Sequence, residues 1–373
     1  MKHLKKFEQH SDYTEFTQTT DFVKPNVSWC VIQRHVHYNK FIETRLVVRL
    51  NLSSDKTNAT IFNNGSQYNS IFSAIEVDGT TLPSVASAAN GIALSAGEHV
   101  IKYTLSDPTT IGESAFDNCG IVATSVYIPE GVTTIEDYAF YGNDITSFRL
   151  PNTLTTIGEG AFSYNSNVTT ITLPPNAVNI GYDAFQECNS LSSIGIPEGV
   201  TEIKAGTFSG SGLTTIILPN TITSIGNSAF QDCTGLTNIT LSDSLSTIGD
   251  HAFNGCTSLT EVTIPDGVTI IGNSSFRGCT SLTNVTVPQT AEYVYDYAFY
   301  NCTSLSDIRF LGLTPPDIVH IDASQLVLES HILDNTDSHL LIGVPETRNY
   351  PHTAPSEPWY KYRDHLIRII DIE

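Results

Sequence analysis

IGDHAFNGCTSLTEVTIPDGVT, residues 248–269, is one copy of a unit that recurs nine times between Ile111 and Pro316. Its phenylalanine marks the period: Phe116, Phe140, Phe162, Phe185, Phe208, Phe230, Phe253, Phe276 and Phe299 follow at steps of 24, 22, 23, 23, 22, 23, 23 and 23. Around them the unit reads I-G-x-x-A-F-x-x-C-x-x-L-T-x-I-x-I/L-P-x-x-V-T-x. Self-similarity at a period of roughly 20–50 residues marks a solenoid, in which each coil buries its apolar side only against its neighbours. Such proteins bind along an extended surface.

The letters of the unit assign its parts. L-T-x-I-x-I alternates with period two and predicts a short strand with one face buried. The proline that follows (Pro174, Pro197, Pro219 and Pro265 among others) ends it, because proline cannot donate to a ladder. The glycine after the leading isoleucine (Gly112, Gly158, Gly181, Gly226, Gly249, Gly272) suits a turn with positive φ. A-F-x-x-C fits a brief helical turn with Phe and Cys inward. The expected fold is therefore a solenoid with a parallel β ladder and a short helical or irregular convex side, about nine 23-residue coils long. With coils about 4.8 Å apart, it measures roughly 40 Å.

This unit resembles the BspA-type leucine-rich repeats, found in surface proteins of Bacteroidetes and treponemes and in some parasitic protists. The resemblance covers roughly residues 110–316. It implies a leucine-rich-repeat solenoid and a role in adhesion or recognition, and it names no ligand.

Outside the repeats the chain divides into an N-terminal segment (1–44), a small β-rich domain (45–106) and, after the solenoid (107–316), a C-terminal region (317–373). TRLVVRLNL (44–52), SIFSAIEVDG (70–79) and EHVIKYTL (98–105) alternate like strands, and capping the first coil is the expected role of that domain. LDNTDSHLLIGVP (333–345) reads as a degenerate last coil. Trp359, Tyr362, Leu366 and Ile369 fall at helical spacing behind Ser356 and Pro358, which predicts a closing helix. Ser11 and Asp12 offer a cap for a short helix through Phe16. FVKPNVSWCVIQRHVHYNK (22–40) resembles the openings of leucine-rich-repeat proteins encoded by gut Bacteroides and by their phages.

Charge narrows the partners. The net charge is −21, and residues 107–316 hold 20 acidic against four basic residues: Arg149, Lys204, Arg277 and Arg309. A body this acidic repels nucleic acid and anionic membranes. No run reaches the ~18 consecutive apolar residues of a membrane span. The N-terminal lysines precede no apolar stretch, so the chain does not read as a classical secretion substrate.

No catalytic, metal or cofactor site is predicted. Six cysteines (Cys119, Cys188, Cys233, Cys256, Cys279, Cys302) each stand three after a repeat phenylalanine. A parallel column of thiols cannot converge on one ion, so they read as free, buried packing groups. His35 and His37 supply two imidazoles without a third ligand, and Cys30 has no base beside it. Phosphate-loop and hydrolase motifs are absent from the sequence.

The strand ladder leaves two outward columns. One holds Ser125, Ser147, Thr170, Ser193, Thr215, Asn238, Glu261, Asn284 and Asp307; the other holds Tyr127, Arg149, Thr172, Gly195, Ile217, Thr240, Thr263, Thr286 and Arg309. The candidate ligand face is Tyr127, Arg149, Thr172, Thr240, Glu261, Thr263, Thr286, Asp307 and Arg309. Tyr127, Arg149 and Arg309 are its preferred anchors, because Tyr and Arg dominate interface energetics. A solvated, threonine-rich strand face needs no ligand to explain it, and that plain alternative stands beside the binding one. The expected function is non-enzymatic binding of a protein or carbohydrate at a cell surface or outside the cell. The resemblance of residues 22–40 supports an alternative, a tail-associated structural or receptor-binding protein of a phage virion.

Overall fold

The computed structural model describes residues 44–62, 70–85 and 91–311, together with the backbone strands Asp317–Val319, Leu341–Pro345 and Arg368–Ile372. All belong to one unit, Glu43–Glu373. The readings placed on Lys2, Lys5, Lys6, Ser11, Asp12, Cys30, His35, His37 and residues 346–367 lie outside the described residues.

Each coil contributes its L-T-x-I-x-I segment to a parallel ladder. Ser147–Arg149 pairs with Val122–Tyr127 and with Thr170–Ile171; further along, Glu261–Thr263, Asn284–Val287 and Asp307–Phe310 pair in turn. The inward residues Val126, Phe148, Ile171, Ile216, Ile239, Val262, Val285 and Ile308 are all buried, as period-two alternation requires. Residues 191–197 form no strand, which interrupts the ladder at the fourth coil. A second parallel ladder was not anticipated. It is built from pairs such as Thr156–Ile157, Asn179–Ile180, Thr247–Ile248 and Ile270–Ile271. Two residues per coil are too few to show alternation in sequence.

The convex side is a succession of turns, so of the helical and irregular forms expected there it takes the irregular one. The residues two before and two after each repeat phenylalanine are all left-handed, with φ between +49° and +75°. That conformation flanks A-F on both sides and excludes a helix. Alternate residues donate to the next coil: Ser114, Phe116 and Asn118 N–H to the carbonyls of Asp137, Ala139 and Tyr141, at 2.8–2.9 Å. The residues between them, Ala115 and Asp117, close local turns on Gly112 and Ser114.

The glycine after the leading isoleucine has a different reason from the one expected. None of Gly112, Gly158, Gly181, Gly226, Gly249 or Gly272 is among the positive-φ residues. A Cβ on Gly158, Gly226 or Gly272 would instead lie 2.6 Å from the backbone nitrogen of Asp137, Ala205 or Asp250 in the preceding coil. Close approach of stacked backbones selects glycine here.

The repeat phenylalanines stack through the centre, ring centroids 5.1–5.8 Å apart and planes within 16° of parallel. Truncating one buried ring costs about 3–5 kcal/mol. Behind each ring lies a hydrogen-bond column. Cys188, Cys233, Cys256, Cys279 and Cys302 point their thiols at the carbonyl of the preceding coil's phenylalanine, at 3.1–3.3 Å. Asn143 and Asn165 occupy the same position and donate their amides to Phe116 and Phe140, at 2.7 and 2.8 Å. The cysteines are thus weak donors as well as packing groups, serving carbonyls that would otherwise be buried unpaired.

At the N-terminal side, Leu46–Leu52 lies antiparallel between Gly97–Leu105 and the first-coil strand Val122–Tyr127, with Val48 opposite Val126. This reverses strand direction at the open edge of the ladder. The aromatic column continues into that sheet: Phe72 and Tyr103 sit 5.4 and 5.2 Å from Phe116, and the Tyr103 hydroxyl donates to the Ile61 carbonyl. At the other side Leu341–Pro345 pairs parallel with Asp307–Phe310, and Arg368–Ile372 pairs parallel with Leu341–Pro345. Ile369, expected on a helix, is therefore in a strand. The helical spacing is overridden because the free edge of the ladder takes up the backbone of this segment, Ile369 standing opposite Ile342.

Candidate binding surface

The ladder register brings the outward residues into line. Tyr127 stands beside Arg149; Thr263, Thr286 and Arg309 stand in one row; Glu261, Asn284 and Asp307 stand in the other. Thr215 and Ile217 pair with Asn238 and Thr240. Thr172 lies just past the end of its strand, and Gly195 leaves a gap where the ladder is interrupted. The nine candidate residues thus fall into two groups, Tyr127–Arg149–Thr172 and Thr240 through Arg309, with Gly195 and Ile217 between them.

Both arginine anchors are held. The Arg149 guanidinium lies 5.4 Å from the centroid of the Tyr127 ring, within cation–π range. Arg309 reaches Asp307 Oδ2 through Nε and Nη2, at 3.0 and 2.8 Å. This exposed pair contributes little to stability but fixes the guanidinium.

Ile217, in the outward column but outside the candidate set, is the most exposed large hydrophobic among the described residues, at 71%. Its signal in sequence is an isoleucine in a column otherwise rich in threonine. Conversely, the threonines that flank the strands are structural. Thr214, Thr237, Thr260 and Thr283 hydroxyls each donate to the carbonyl of the matching residue one coil back, forming a continuous side-chain ladder.

Burial pushes the thiols of Cys188, Cys233 and Cys302 up to about 12 from the usual 9.0. These groups stay protonated and unreactive. Among the described residues no helix is long and apolar enough to cross a membrane.

The family model described as "BspA type Leucine rich repeat region" matches residues 100–214 and 201–315. Among solved structures, the chain is similar to a leucine rich cell surface protein from Faecalibacterium prausnitzii: 30% identity over 52% of this chain and 61% of that one, TM-score 0.38. It is also similar to a leucine-rich-repeat protein of T. pallidum (31% identity, 42% of this chain and 77% of that one, TM-score 0.41) and to one from Bacteroides ovatus (23%, 72% and 88%, TM-score 0.31). The chain spans less than two thirds of the Faecalibacterium protein. No curated protein matches it.

Proposed function

Because this chain belongs to the BspA-type leucine-rich-repeat family, we propose that it is a non-enzymatic adhesion protein, displayed at a cell surface, that takes a protein partner on the outward strand face. Repeat-mediated binding is the family's mode. What carries the reading is the order already present on that face. Arg149 rests on Tyr127 and Arg309 on Asp307, so both guanidiniums are positioned before a partner arrives, which lowers the entropy lost on binding. Ile217 adds an apolar contact between the two groups, rimmed by Thr215, Asn238 and Thr240.

The test is binding of the full chain to an immobilised panel of extracellular protein domains. Ile217→Asp and Arg149→Glu are expected to abolish a hit that Asp266→Asn, an exposed residue outside the strands, retains, all three remaining folded. A hit that survives both face substitutions contradicts the proposal.

A virion role, tail-associated, is the second reading, favoured by the resemblance of residues 22–40 to phage-encoded openings. It predicts tail or baseplate genes beside this one, and a secretion or lipoprotein locus there would exclude it.

A further inference from the structure

The pentapeptide Asp-Tyr-Ala-Phe-Tyr occurs twice on the turn side, as residues 137–141 in the second coil and 296–300 in the ninth. Both copies build the same local object. Tyr138 and Tyr141 meet edge to face with centroids 5.8 Å apart, and Tyr297 and Tyr300 do so at 5.4 Å. The copies differ in what the preceding coil sets against the second tyrosine. In the ninth coil it is Arg277, whose guanidinium lies 5.2 Å from the Tyr300 centroid. The residue at the matching place before Tyr141, one after the repeat phenylalanine, is Asp117.

We propose that Tyr141, between Asp117 and Tyr164, receives an arginine side chain from a basic segment of a partner protein, in the place that Arg277 fills for Tyr300. This site is on the turn side, separate from the strand face, and does not depend on the reading given to that face.

Three observations support it. First, the surface is built and open. Tyr141 is half-buried, and Tyr164, tilted against it at 5.2 Å, is 46% exposed. Second, the rings are held where the turn would accept glycine. Tyr138 and Tyr164 have φ of +56° and +59° in columns where other coils place Gly206 and Gly210. The Tyr138 ring lies over Gly160, whose Cβ would come within 2.6 Å of it, and its hydroxyl donates to the Glu159 carboxylate. The same two places are left-handed in every coil, so what distinguishes this patch is the aromatic ring placed there.

Third, the charge is complementary. Three of the four basic residues in the repeats already stack on tyrosines: Arg149 on Tyr127, Lys204 on Tyr182 and Arg277 on Tyr300. Beside Tyr141 stands the Asp117 carboxylate, with Glu159 one coil on against Tyr138, and among the described residues no basic side chain lies over the Tyr141 ring. Burial raises the Asp117 carboxyl above its usual range, so a guanidinium arriving beside it relieves a cost already present. Guanidinium suits the site better than ammonium, because it is planar and stacks while its N–H groups reach a carboxylate.

The experiment titrates a labelled peptide of alternating arginine and glycine into the full chain at low and high salt. Asp117→Arg is expected to stack on Tyr141 as Arg277 stacks on Tyr300, closing the site and abolishing binding while leaving the fold intact. Tyr141→Leu is expected to weaken binding about tenfold, and Tyr141→Phe, which keeps the ring, to retain it. Asp266→Asn, a remote exposed carboxylate, should change affinity less than about twofold. Equal losses at Asp266→Asn and Asp117→Asn would mean bulk charge attraction and overturn the proposal. So would undiminished binding by Asp117→Arg or Tyr141→Leu, by a folded chain that does not bind the peptide, or by a neutral oligosaccharide competing for the same tyrosines.

Discussion

A single position, three residues after each repeat phenylalanine, shows how one backbone carbonyl selects a residue type. The Phe carbonyl faces the interior, and Cys or Asn one coil on supplies its donor in every coil but the fifth, where Ser211 stands. Cysteine does so at little desolvation cost, and burial then forbids ionisation. The linkage has a definite sign. Folded-state values for Cys188, Cys233 and Cys302 of about 12, against 9.0 for the free thiol, mean that the unfolded chain loses protons first as pH rises. The stabilisation is complete below pH 9 and is lost between 9 and about 12, at roughly 1.4 kcal/mol per pH unit for each thiol. Urea midpoints should therefore fall steeply from pH 9 upward. Cys256→Asn, which restores a donor without an ionisable group, should lessen the slope; an unchanged slope would refute the thiol assignment.

At the scale of the coil, the stacking distance governs what each turn tolerates. Gly226→Ala places a methyl 2.6 Å from the Ala205 nitrogen and should destabilise by at least about 2 kcal/mol. Gly195→Ala meets nothing within 4 Å and should stay within about 0.5 kcal/mol of the parent. Denaturation midpoints of the two variants check the contrast, and equal midpoints would contradict it. The coil was also where sequence reading divided. Phe, Ile and Leu at a 23-residue period announce their burial because the same environment recurs nine times. Glycine is ambiguous, since positive φ and close approach both demand it, and only stacked coordinates separate them. The left-handed places beside Phe were hidden because Tyr138, Asp183 and His251 occupy them as well as glycines. The two-residue second ladder is shorter than any period.

For the molecule, the repeats build a framework whose apolar consensus letters point inward, and the proposed function assigns recognition to the letters that vary. The strand face was legible as two columns, because period two fixes which residues point out. The interruption at Gly195 and the self-pairing of Arg309 with Asp307 were not, since neither follows from alternation. The duplicated Asp-Tyr-Ala-Phe-Tyr was in plain view, but its meaning depends on Asp117 and Arg277, a coil away from each copy. The most direct test of recognition by the strand face is amide hydrogen exchange on the full chain, free and bound to a partner captured from the panel. Strand residues 147–149, 215–217 and 238–240 should gain protection together on binding. Protection confined to residues 44–106, with those strands unchanged, would contradict the account.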